Sequence, residues 1–194
     1  MGRGSDAEPD RLRTVDLGAA VNNDGISYAS NTADGAFNVW GNTYPAEELP
    51  PSGTTVVVAG VPFVFPSKED GRRNNVVCVG QVVEFNDDWY DGVSVLGAAE
   101  RRTEDTMVFA ATEGSARRAW LRLSDWWPEA RSHFGNRLAF RCSRLHYPRH
   151  VQGNMAPALW VHRQRFRPVR TRAVALPDNP ALHVFALTLR RACR

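Results

Sequence analysis

Apolar side chains in this chain recur at every second position over short stretches, and no long stretch carries the three-to-four spacing of an amphipathic helix. A period of two puts alternate side chains on opposite faces of an extended strand, so this spacing commits most of the chain to β structure. Val82, Glu84 and Asn86 share one face of such a run, with Val83 and Phe85 on the other. Trp120, Arg122 and Ser124 oppose Leu121 and Leu123, and His183, Phe185, Leu187 and Leu189 oppose Val184, Ala186 and Thr188. Turn residues punctuate the runs at short intervals, and Thr112-Glu113-Gly114-Ser115 separates two of them as a hairpin loop would.

The pattern places strands near 14–21, 36–40, 54–59, 61–65, 76–85, 92–97, 106–111, 118–123, 137–145, 158–166, 170–176 and 182–189. The one helix-like stretch, 124–134, opens on Ser124-Asp125 and would hold Pro128 in its first turn. Pro148, Pro168 and the Pro50-Pro51 pair mark loops. About a dozen short strands with at most one short helix define an all-β, antiparallel sandwich or barrel. Residues 1–13 are polar and charged and read as a flexible arm, leaving 14–191 as one β-sandwich domain. At 194 residues the chain buries enough surface, roughly 70% of its extended area, to need no staple.

The charge balance excludes some functions. Twenty-four Lys and Arg face 21 Asp and Glu, for a net charge of +3. That is far below the basic excess of a dedicated nucleic-acid binder, so no nucleic-acid partner is expected. The alternating Arg163, Arg165 and Arg167, followed by Arg170 and Arg172, form a solvent face of a strand. No apolar run approaches the ~18 residues of a membrane helix, and the first ten residues lack the apolar core of a secretion signal, so the expected setting is cytoplasmic with no membrane partner. Cys78, Cys142 and Cys193 are odd in number and far apart, which argues against disulfides and a thiolate metal site. His146 and His150 have helical metal-pair spacing, but Pro148 between them opposes a helix, so no metal is expected. Neither a nucleophile elbow nor a phosphate-binding loop is present, and no cofactor is expected.

Four motifs are more specific: Val21-Asn22-Asn23-Asp24-Gly25-Ile26 with Tyr44-Pro45-Ala46-Glu47-Glu48-Leu49-Pro50; Gly60-Val61-Pro62-Phe63-Val64-Phe65-Pro66; Asn74-Asn75-Val76-Val77; and the run 182–189. In this order, over 15–189, they resemble an actinobacterial galactose-binding-like, jelly-roll module of the carbohydrate-binding type, often appended to glycoside hydrolases. The resemblance implies a jelly-roll module that binds a carbohydrate or another polyhydroxylated small molecule. A second reading makes the chain a small intracellular enzyme of specialised metabolism, using the sandwich cavity for cyclisation, isomerisation or hydrolysis.

Asn23, Asp24, Trp40, Tyr44, Asn74, Asn75 and Trp126 are the expected ligand-binding residues. Amides and a carboxylate read hydroxyls in both hydrogen-bonding senses, and aromatic faces stack on the apolar faces of a sugar. The loops bearing the first six are expected to converge on one concave site. On a strand the adjacent Trp126 and Trp127 point opposite ways, one into the core and one outward. Asp24 with Glu47, or Asp125 with His133 or His162, are the candidate acid–base pairs.

Overall fold

The computed structural model describes residues 8–128 and 130–193. Fourteen strands run through them: β1 (Leu12–Val15), β2 (Ile26–Ser27), β3 (Tyr44–Pro45), β4 (Thr55–Val58), β5 (Val61–Val64), β6 (Val76–Val79), β7 (Val82–Ala99), β8 (Thr103–Ala111), β9 (Arg117–Leu123), β10 (Arg137–Arg141), β11 (Arg144–Tyr147), β12 (His150–Gly153), β13 (Ala158–Ala175) and β14 (Asp178–Arg191). The helical elements among the described residues are two short 3-10 turns, Glu8–Arg11 and Ala46–Glu48. None is long and apolar enough to cross a membrane.

Eight strands form one antiparallel sheet in the order β1-β14-β7-β13-β8-β9, with β6 beside β14 and β10 beside β13. Residues 92–99 of β7 are buried on both faces. Val93, Val95 and Ala99 enter one core, shared with Met107, Phe109, Leu121, Leu123, Leu187 and Leu189. Leu96 and Ala98 enter a second, shared with Phe37, Tyr44, Phe63, Phe65, Trp126, Trp160 and Phe185. The sheet curls about the first core, which draws on its two ends. The excursions holding the β2–β3, β4–β5 and β11–β12 pairs cover the second. This is an antiparallel β-sandwich.

The curled sheet closes with side chains rather than with a ladder. β9 is its terminal strand. His162 Nε2 donates to the Trp120 carbonyl at 2.9 Å, and Asn136 Nδ2 donates to the Arg122 carbonyl at 3.1 Å. Asn136 Oδ1 accepts from Ser124 N at 2.8 Å. Burial lowers the His162 pKa, which keeps the ring neutral and suits one N–H donor.

Several local expectations need correction. Stretch 124–134 is not helical over its described residues. Asp125 bridges Ala99 in parallel, and the Trp126 N–H donates to the Ala99 carbonyl. Pro128 had weakened that helix, and the pairing with β7 supplies the backbone partners a helix would have provided. Ordered chain starts before residue 14: residues 1–7 lie outside the described ones, but Leu12 and Arg13 already pair with Arg190 and Leu189. Stretch 36–40 is a turn, and 16–21 leaves the sheet after Val15. Pro168 lies inside β13 rather than in a loop, at the register shift between Arg165 and Val169, where a missing N–H costs no ladder bond. A second bulge, between Val184 and Ala186, breaks the strict alternation expected along β14. His183, Phe185 and Ala186 therefore face away from the core that takes Val184, Leu187 and Leu189. All three cysteines are free; burial raises the pKa of Cys78 and Cys142 to about 12.

Candidate functional site

The asparagine motifs meet, and most of their polar groups serve one another. Asn23 and Asn75 form an isolated antiparallel bridge. Asn75 Nδ2 donates to Asn74 Oδ1 at 2.9 Å, and Asn75 Oδ1 accepts from Asn23 Nδ2 at 3.3 Å and from His183 Nδ1 at 3.1 Å. Asn74 Oδ1 also accepts from Gly25 N at 2.9 Å, while Asn74 Nδ2 donates to Asp24 Oδ1 and the Arg72 carbonyl. Asn74 and Asn75 are 1% and 0% exposed. These residues form a clamp between two loops. Gly25 is tied into it: a Cβ there would stand 2.9 Å from Asn75 Nδ2 and 3.0 Å from Phe37.

The clamp's charges follow from burial. Desolvation raises the Asp24 pKa to about 6 against its hydrogen bonds to Ile26 N and Asn74, with Asp34 and Asp70 adding repulsion. Burial drives His183 down to about 4, so its ring is neutral near pH 7. Its Nδ1–H serves Asn75, and its face stacks on Phe37 with centroids 3.9 Å apart.

Phe37 carries the clamp's order to a cleft. Its ring lies 4.4 Å from that of Trp126 and 5.2 Å, edge-on, from that of Tyr44. Tyr44 belongs to the core: it is 0% exposed, and its hydroxyl donates to the Ala158 carbonyl at 2.9 Å. Trp126 is core on one side and cleft wall on the other. The cleft beside it has a volume of about 760 Å³ and is lined by Trp40, Asn42, Glu100, Arg101, Asp125, Trp126, Trp127 and Tyr147.

The Trp40 wall is held from below. Asn38 Oδ1 accepts from the backbone N–H of both Trp40 and Asn42 at 3.1 Å, and Gly41 N closes the turn on the Asn38 carbonyl. Gly41 has φ +73°, and a Cβ there would lie 2.8 Å from the Pro148 ring. This rigid turn leaves Trp40 68% exposed. On the opposite side Trp127 meets Trp126 edge-on at 5.8 Å. One of the tandem tryptophans is core and the other half-exposed, as their adjacency requires.

The cleft's polar groups come from the β7 end and the segment bridged to it. Asp125 Oδ1 accepts from Trp127 N at 3.0 Å and Arg101 N at 3.3 Å, and its carbonyl takes the Trp160 indole N–H at 2.8 Å. Its Oδ2 has no hydrogen-bond partner among the described residues. Glu100 is anchored through its backbone N–H to Ala181 O at 2.8 Å. Its carboxylate makes no hydrogen bond or salt bridge among the described residues. Desolvation raises its pKa, Asp125 raises it further, and Arg101 pulls it back. Arg101 itself sits at φ +63°, a left-handed conformation unusual for a side-chain-bearing residue.

Of the seven expected site residues, then, Trp40 and Trp126 line the cleft; Asn23, Asp24, Asn74 and Asn75 form the clamp behind it; and Tyr44 is packed between. Of the expected carboxylate pair, Glu47 accepts from Ala29 N at 2.7 Å and Asp24 is bound into its own loop, while Glu100 and Asp125 both line the cleft. Asp125 forms no dyad with His162, which is committed to the β9 seam. Glu100, Arg101 and Trp127 had one weak signal, the tandem tryptophan beside an acid. Glu100 and Asp125, 25 positions apart, are brought together where segment 124–126 pairs with Ala99.

Residues 11–192 match the family model of the AziU2-like beta-sandwich domain. No curated protein matches the chain.

Proposed function

The chain belongs to the AziU2-like β-sandwich domain family, and from that premise we propose that it is a small-molecule-binding protein whose ligand occupies the tryptophan-walled cleft. The observation that carries this reading is the pairing of indole walls with the Glu100 carboxylate and Asp125 Oδ2, which have no hydrogen-bond partner among the described residues. The neighbouring asparagine clamp, by contrast, spends most of its polar groups on itself. A volume near 760 Å³ lies within the usual range for small-molecule sites. Indole faces suit an apolar ligand face, and the carboxylates accept hydrogen bonds from ligand O–H or N–H groups. A polyhydroxylated, sugar-like molecule has both kinds of surface.

The test is titration of intrinsic tryptophan fluorescence with a panel of sugars and other polyols. Saturable quenching in the native chain, weakened in Trp127→Ala by about 1–3 kcal/mol for loss of one large apolar contact, supports the reading. Quenching unchanged in that variant would place the ligand elsewhere.

A second reading, catalysis in the same cleft, is favoured by one observation: the half-buried Glu100, with its raised pKa, stands next to a strained backbone residue. A carboxyl so placed can give or take a proton during a cyclisation, isomerisation or hydrolysis. Turnover that falls in Glu100→Gln while ligand affinity holds would select this reading.

A further inference from the structure

We propose that the ligand of this cleft carries a positively charged nitrogen, of the ammonium or amidinium class, held between the Glu100 and Asp125 carboxylates and the indole faces of Trp40 and Trp127. This rests on the reading of the cleft as a small-molecule site and narrows the class of molecule it takes.

The argument begins with local charge. The chain as a whole is +3. The cleft reverses that sign: two carboxylates, Glu100 and Asp125, face one guanidinium, Arg101, leaving one negative charge in excess. The two acids are placed together by the backbone. The Ala99 N–H donates to the Ser124 carbonyl, and the Trp126 N–H donates to the Ala99 carbonyl, both at 3.0 Å. The residue after Ala99 and the residue between Ser124 and Trp126 are therefore locked at the same rim. The arrangement is costly when the cleft holds only solvent, because two like charges share a partly desolvated space. A neutral polyol leaves the repulsion in place. A cation cancels it.

The walls point the same way. A cation over an indole face is attracted by the ring quadrupole, most strongly for tryptophan and when partly desolvated. Trp40 is presented by a turn whose backbone is pinned twice to Asn38, so its position is prepared before any ligand arrives. Two other sites on the chain show that such groups attract a cation when one is within reach. Arg122 lies over Trp120 at 4.7 Å, and Arg11 and Arg190 converge on Asp91. Glu100 has no such partner among the described residues, leaving this acidic and aromatic surface for a cation from outside the chain.

The experiment compares matched probes that differ in charge: cyclohexylammonium against cyclohexanol, and glucosamine against glucose, each titrated against intrinsic fluorescence at constant ionic strength near pH 7. The ammonium member of each pair should bind at least about tenfold tighter, with the advantage cut to under about threefold in Glu100→Gln and in Asp125→Asn. Trp127→Ala should weaken both members, the ammonium member more, because it loses the ring quadrupole as well as the apolar contact. Equal affinity within both pairs, or an ammonium advantage that survives both acid variants, overturns the proposal while leaving a neutral-ligand cleft intact. Absence of saturable quenching by all four probes, together with wild-type quenching by a polyol panel, also removes the cation class. Failure of every molecule in both experiments removes the cleft reading itself and the proposal with it.

Discussion

The clamp and the cleft lie on either side of Phe37 and use similar chemical groups to opposite ends. In the clamp, Asn23, Asn74, Asn75 and Asp24 spend their donors and acceptors on one another and on nearby backbone. In the cleft, Glu100 and one oxygen of Asp125 face open space between indole rings. A polar motif in a loop therefore says little about binding until its partners are counted. The amides with the greatest apparent capacity for ligand, Asn74 and Asn75, turn out to be buried and engaged with one another and with the chain.

The sharpest way to break this comparison is Asn75→Ala. It strips partners from His183, Asn74 and Asn23 in a buried setting, and the expected loss is about 4 kcal/mol of stability, near the top of the range for single substitutions. Denaturant unfolding measures it. Ligand affinity per folded molecule should hold; a variant that keeps its stability but loses affinity would make the clamp the binding site after all.

Next in size is the acid response of His183. Its pKa is lowered from 6.5 to about 4, so the unfolded chain binds the proton more tightly. The stability this group contributes is intact above pH 6.5 and is lost progressively as pH falls to about 4, by about 3 kcal/mol in all. His183→Gln, which keeps an N–H donor for Asn75, should flatten that limb of a stability–pH curve. An unchanged limb would assign the acid sensitivity elsewhere.

Trp40→Ala acts on the cleft alone. Affinity should drop by about 1–3 kcal/mol while the melting temperature stays within a degree or two, since the ring is largely exposed and its turn is held by Asn38. A large fall in melting temperature with affinity unchanged would instead make Trp40 a core cap.

The smallest effect concerns Asp24. Its pKa rises from 3.8 to about 6, so the folded chain favours the protonated acid. The associated stability is present below about pH 4 and is lost as pH rises to about 6, the reverse of His183. Because the group is half exposed, the magnitude is about 1 kcal/mol after solvent screening. Asp24→Asn should thus be neutral or slightly stabilising at pH 7, and a loss above about 1 kcal/mol there would mean that its charge holds the clamp.

Strand content was legible because alternation is a local property: Val83 and Phe85 point inward wherever their strand ends up. The bulge between Val184 and Ala186 was not, since it answers to the shift from β6 to β1 as β14's outer neighbour. The same limit governs the site. Trp126 and Trp40 were visible as aromatics next to polar turns. Glu100 was invisible, because what distinguishes it is that no described residue bonds its carboxylate, and partners 25 or more positions away are set by tertiary pairing. The asparagine pairs were legible as a meeting point, but their mutual engagement depends on two loops crossing at Asn23 and Asn75.

The seam along β9 bears on motion. A continuous ladder opens only when many backbone bonds break together, whereas this junction is bridged, among the described residues, by side-chain hydrogen bonds of His162, Asn136 and Ser124. Sub-global opening begins where the fewest bonds must be cut. The β9 edge, rather than β8 with its ladder to β13, is accordingly the first part of the seam to open, and its outward-facing amides should exchange with deuterium ahead of those in β7 and β13. Because Ser124 and Asp125 follow directly on β9, opening of that edge would strain the one rim of the cleft that their backbone bonds to Ala99 hold in place, offering a bound molecule a route of exit.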